Sequence, residues 1–284
     1  MCAPADGTAM AGAIEPVEID TAAGAVAVHV FGAGLPTVLW HALPADGSSW
    51  LSVLPALLPG RRLLVVDGPG WGRSERLRRG AEQNEVVDAA RTVVETLTPR
   101  AAVDWVGAGW GGRVGLQLTA RSPELVRSLV LAMADPAPMP ADERRRTRRM
   151  LRLLRIVGPI GPVGRAIIDD QLAAESRTEP QAVGALLDAL LLAGRVQAAR
   201  SIERFEVRRP DLTALLPTVT APVLLLAGDA ASPWPASRAR DAAALAPFAQ
   251  VTEVPDARQQ VALDRPEAFT AAVHRFWAGL ELPL

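Results

Sequence analysis

Val103-Asp104-Trp105-Val106, running into Gly107-Ala108-Gly109-Trp110-Gly111-Gly112, is the stretch that decides how this chain is read. A compact apolar run at 102–106 suits a strand buried on both faces, and it ends in a glycine-rich turn. Beyond the turn, Trp110–Arg121 has helical spacing. The same succession continues on either side. Runs at 37–41, 62–67, 128–132 and 222–227 predict further buried strands, and 17–21 with 25–31 predict an opening hairpin. Helical spacing at 51–58, Gln83–Leu97, 235–244 and 266–279 fills the intervals. Repeated strand–helix units imply an α/β fold with a mostly parallel central sheet flanked by helices.

One region breaks the alternation. From about 136 to 217 the periodicity is helical with no convincing strand. This predicts a helical insertion over 136–216 within a core formed by 1–135 and 217–284. Its arginine-rich run, 143–155, reads as the wet face of a helix whose Met150, Leu151 and Leu154 turn inward.

Bulk properties narrow the function. The chain has 284 residues, is 49% hydrophobic and 21% charged, and is long enough to bury a sizeable core. A net charge of -1 gives no general attraction to nucleic acid or to an anionic membrane, so neither is expected as a partner. Cys2 is the single cysteine, which excludes an internal disulfide and argues against a cysteine-based metal site. No metal and no cofactor are expected. The N-terminus has no basic region followed by an apolar core, and no apolar run approaches the ~20 residues of a membrane helix. A cytoplasmic location is expected.

Several motifs carry a resemblance. Trp40-His41-Ala42-Leu43-Pro44 precedes Gly47-Ser48-Ser49-Trp50, and Asp67-Gly68-Pro69-Gly70-Trp71-Gly72-Arg73-Ser74 follows. The glycine turn at 107–112, the segment 122–131 and Asp264-Arg265-Pro266-Glu267-Ala268-Phe269 complete the order. In these motifs the chain resembles the α/β-hydrolase superfamily over nearly its whole length. The resemblance implies an α/β-hydrolase fold, with the insertion at 136–216 as its helical cap. It also implies an oxyanion hole made by the N–H groups of Leu43 and Trp110. Three triad positions depart from the family pattern. Gly109 stands where G-x-S-x-G has its serine, Ala231 where the acid belongs, and Gln259 where the histidine belongs. Ala42 also replaces the usual glycine of the oxyanion loop.

Glycine supplies no nucleophile, and a glutamine amide cannot take a proton at neutral pH. Substitute groups are few. His41 is read either as a buried residue bonding the oxyanion loop or as a proton shuttle. Asp135 is read either as a turn residue before Pro136 or as a relocated acid. His41 and Asp135 are thus the candidate catalytic residues. Leu43, Gly109, Trp110, Trp234, Arg258 and Gln259 are the candidate substrate-binding residues. Trp71, Trp110 and Trp234 are expected to line a pocket for a flat, polycyclic, hydrophobic small molecule.

The leading functional expectation is a cofactor-independent, non-hydrolytic enzyme: a cyclase, lyase or isomerase of bacterial specialised metabolism. Behind it stand an inactive ligand- or partner-binding protein, and then a hydrolase with relocated catalytic residues. A homodimer is compatible with any of these.

Overall fold

The apolar runs assemble into one sheet. The computed structural model describes residues 15–229 and 232–281. Its strands are β1 (Val17–Ile19), β2 (Val26–Gly32), β3 (Leu35–Trp40), β4 (Arg61–Val66), β5 (Val103–Ala108), β6 (Val126–Ala132), β7 (Val223–Ala227) and β8 (Ala249–Glu253). They lie in the order β1-β2-β4-β3-β5-β6-β7-β8. β1 pairs antiparallel with β2, which is the expected opening hairpin, and β2 pairs antiparallel with β4. Every other pairing is parallel.

The helices are α1 (Leu54–Leu57), α2 (Gln83–Leu97), α3 (Trp110–Arg121), α4 (Ala141–Val157), α5 (Gly161–Gln171), α6 (Pro180–Ala193), α7 (Arg195–Ile202), α8 (Ala236–Ala243), α9 (Val261–Asp264) and α10 (Pro266–Glu281). Between β6 and β7 the described residues carry helices α4 to α7 and no strand. No single helix among the described residues is long and apolar enough to cross a membrane.

Two expectations need correction. β8 is not expected from the sequence, because Ala-Gln-Val-Thr-Glu belongs to a half-exposed edge strand and lacks the apolar run of a central one. The expected helix over 51–58 shrinks to α1, preceded by a tight helical turn at Gly47–Trp50, with Pro55 in the first turn of α1.

Central strands are held to α3 by very close packing. A Cβ on Gly111 would lie 2.2 Å from the carbonyl oxygen of Trp40, and the Gly111 N–H donates to the His41 carbonyl at 3.2 Å. Only glycine lets the helix backbone approach the sheet so nearly. At the other end of β5, buried Asp104 accepts from Arg61 at 2.5 Å and from the Ser128 hydroxyl at 2.6 Å, and pairs with Arg127. That cluster pins β4, β5 and β6 together at the end of β5 opposite residue 109.

Candidate active site

Residue 109 sits where β5 turns into α3, with φ +46° and ψ −111°. L side chains rarely adopt that backbone, so glycine relieves strain that a serine would carry. A Cβ built there would be 2.7 Å from Nε2 of Gln259. Gly109 and Gln259, two of the positions expected to depart from the family pattern, therefore meet in space. Gln259 Nε2 donates to the Met133 carbonyl at 3.3 Å, which holds the amide over the turn. Ala231, the third departing position, lies outside the described residues.

Replacing Gly109 with Ser should cost about 1–3 kcal/mol of stability through backbone strain. It should also displace the Gln259 amide. With no base beside it, the new hydroxyl should resist a fluorophosphonate probe. Urea unfolding and intact-mass labelling check both halves, and a stable variant that takes the label would contradict this reading.

His41 is fully buried. Its Nε2 accepts the Gly68 N–H at 2.9 Å, so Nδ1 carries the proton and donates to the Ala42 carbonyl at 3.0 Å. Burial lowers its pKa below the ordinary histidine value, against the opposing pull of that carbonyl and of Asp46 and Asp67. Both ring nitrogens are spent on backbone, which supports the loop-bonding reading and not the shuttle. Because the folded pKa is depressed, the unfolded chain takes up a proton below about pH 6.5 that the folded chain refuses, and stability drops. His41→Ala should lose about 1–3 kcal/mol at neutral pH by leaving the Gly68 N–H unpaired. The gap to the unsubstituted protein should narrow about one pH unit below the ordinary histidine pKa. A gap that stays constant across urea titrations at the two pH values would contradict the assignment.

Asp135 is likewise engaged elsewhere. Its Oδ1 accepts the Ala137 N–H at 2.9 Å, and its Oδ2 pairs with Arg238 and lies 3.6 Å from Arg209. It is a turn residue within an arginine network and does not line the cavity described below. The structure gives no support to its candidacy as a free acid.

The tryptophans also need correction. Trp110 is fully buried, stacked on Phe205 at 5.2 Å and edge-on to His41 and Trp40. Trp71 donates to the Ser201 hydroxyl at 2.9 Å, and Trp234 is buried beside Arg238. These indoles pack the interior and none of them lines the cavity. Asp67 tethers its turn by accepting the N–H groups of Gly47 and Arg73, each at 2.8 Å. Burial raises its pKa, but bonds from His29, Arg73 and Gly47 outweigh that and hold it low.

The cavity itself has a volume of about 70 Å³. Leu43, Pro44 and Gln259 line one side, and Glu143, Thr147 and Met150 of α4, with Ile167 and Asp170 of α5, line the other. Gln171, Glu206 and Arg209 add to the polar lining. An outer recess of about 390 Å³ shares Glu143, Thr147, Met150, Asp170 and Pro233 and adds Arg146 and Arg258. Arg258 is anchored there, its Nε donating to the Asp170 carbonyl at 2.9 Å and its N–H to Asp264 at 2.8 Å.

Sequence reasoning misses the carboxylates. Glu143, Thr147 and Met150 follow i, i+4, i+7 spacing, so the signal for a shared inner face is present. The arginines of the same helix hide it. Burial raises the pKa of Glu143, Arg209 opposes it, and Asp170 and Glu206 raise it further. Glu206 pairs with buried Arg113 at 2.5 Å and with Arg209 at 3.4 Å. The backbone N–H groups of Leu43 and Trp110 have no hydrogen-bond partner among the described residues. Leu43 stands on the cavity wall, and Trp110 follows Gly109, over which Gln259 closes the cavity. A carboxyl of raised proton affinity and a residue with an unspent backbone donor, Leu43, therefore line one cavity, while Trp110 lies outside its lining.

Comparison with known proteins agrees with this architecture. Residues 36–229 match the family described as alpha/beta hydrolase fold. A 2-hydroxymuconate semialdehyde hydrolase from Pseudomonas sp. (strain CF600) is 37% identical over 108 residues, covering 37% of this chain and 38% of that protein. A pimeloyl-[acyl-carrier protein] methyl ester esterase from Xanthomonas campestris pv. campestris (strain B100) is 27% identical over 257 residues, covering 89% and 99%. The structure of a thermophilic esterase from Thermogutta terrifontis is similar in fold, with a TM-score of 0.82 at 24% identity, covering 94% of this chain and 100% of that one. The relatives are enzymes, as expected here. Their hydrolase and esterase names overturn the expected cyclase, lyase or isomerase. The departures at 109 and 259 do not by themselves indicate a different reaction class.

Proposed function

Since the chain belongs to the α/β-hydrolase fold family, we propose that it is a hydrolase that directs water at the carbonyl of a small ester without forming an acyl-enzyme. The observation that carries this reading is the placement of Glu143, a carboxyl of raised proton affinity, on the same cavity as Leu43. The Leu43 N–H group would hold the carbonyl oxygen and the negative charge that develops on it. Glu143 takes a proton from water as the water oxygen attacks the carbonyl carbon. Collapse of the tetrahedral adduct expels the alcohol, which recovers the proton from the Glu143 carboxyl.

Size restricts the substrate. At about 10–15 Å³ for each water-sized position, a cavity of about 70 Å³ admits only a short acyl group. The leaving alcohol then lies in the outer recess. The named esterase among the relatives supports an ester as the substrate class.

Initial rates on short-chain p-nitrophenyl and methyl esters test the proposal. Saturable hydrolysis above the uncatalysed rate is expected, falling as the acyl chain lengthens, with no fluorophosphonate labelling. Background rates across the series, or labelling of one serine, would overturn it.

A further inference from the structure

The overall charge of -1 conceals a strong local concentration. Helix α4 carries seven arginines against Asp142 and Glu143. Arg145, Arg149 and Arg152 recur at i, i+4, i+7, which places them on one exposed face, and Ile156 continues the stripe. None of these three arginines has an ion-pair partner among the described residues, unlike Arg146 and Arg148 on the same helix.

Large aliphatic side chains are exposed at the same end of the insert. Ile156 is 72% exposed, and Ile160, Leu191 and Leu192 are each 59% exposed. They come from the end of α4, the turn before α5 and the end of α6. Arg195, at the start of α7, donates to the Ile156 carbonyl at 3.1 Å. Ile160 and Leu191 line a common surface groove of about 640 Å³ between α5 and α6. Soluble surfaces rarely gather exposed aliphatic groups in this way without a use for them.

We propose that this end of the helical insert docks on an anionic lipid surface, the aliphatic side chains entering the headgroup boundary and the α4 arginines meeting lipid phosphates. Unpaired cations beside aliphatic residues suit that occupant. A second copy of the chain fits poorly, because a symmetric contact would bring the two arginine stripes together. A protein partner is disfavoured by the absence of aromatic residues from the patch.

Flotation with vesicles of pure phosphatidylcholine, and of phosphatidylcholine with phosphatidylglycerol at about one lipid in three, tests it on the full chain. Binding is expected only to the anionic vesicles, weakening with added salt. Arg149→Ala with Arg152→Ala should reduce the partition about 25-fold, at roughly fivefold for each arginine. Ile156→Ser with Leu192→Ser should also reduce it, while ester hydrolysis in solution stays unchanged in both double variants. Absence of binding to anionic vesicles would overturn the proposal. So would a concentration-dependent dimer in gel filtration that the Ile156→Ser, Leu192→Ser variant abolishes, or equal binding by all variants.

Discussion

Glu143→Gln should lower kcat for ester hydrolysis by about 10²–10⁴-fold, the range that a positioned general base contributes. Glutamine keeps the size and much of the hydrogen bonding of the side chain but takes no proton from water. The remaining polar lining stays in place, so KM should change far less than kcat. The pH profile supplies a second reading. Burial, with Asp170 and Glu206 nearby, raises the Glu143 pKa. The active base form therefore appears only as pH rises through that raised value, and the rate should climb with pH along a limb lying above the ordinary glutamate range. Loss of this limb in Glu143→Gln is expected. Unchanged kcat in the variant would remove Glu143 from the mechanism.

Gly111→Ala should destabilise the protein by about 3 kcal/mol, at the upper end of the overpacking range. The added methyl meets the Trp40 carbonyl oxygen at 2.2 Å, and backbone on both sides leaves no flexible group to yield. Relief requires separating α3 from β3, which moves the Leu43 loop and the Trp110 N–H together. Gly184→Ala, within α6, is the matched control. The nearest atom to a Cβ there is a carboxylate oxygen of Asp188 at 3.8 Å, an ordinary contact distance. That change should instead stabilise by about 0.5–1 kcal/mol through helix propensity. Urea midpoints shifted in opposite directions by the two variants are expected, and equal midpoints would contradict the packing argument.

The fold is largely legible in the sequence because the buried strands advertise themselves. Runs such as 128–132 and 222–227 pack on both faces and hold little but apolar residues. β8 is not legible, because an edge strand is half wet and carries Gln250 and Thr252. The site is legible in part. The flanking family motifs mark Gly109 and Gln259 as altered positions, and the structure places one directly over the other. The roles of Asp135 and the tryptophans are not legible. Asp135 is claimed by Arg238, 103 residues away in sequence, and such pairings leave no local trace. Trp110 presents the same difficulty, since its stacking partner Phe205 comes from the insert. Glu143 is concealed by its own helix, where arginines dominate the composition while the inner face does the lining.

Direct attack of water on the ester, with nothing covalent contributed by residue 109, is tested most directly by rapid-mixing measurement of p-nitrophenol release. Samples quenched during turnover are weighed as intact protein in the same experiment. Linear release from the first turnover and an unmodified protein mass throughout are expected. A stoichiometric burst accompanied by an acyl adduct on a serine would contradict the mechanism.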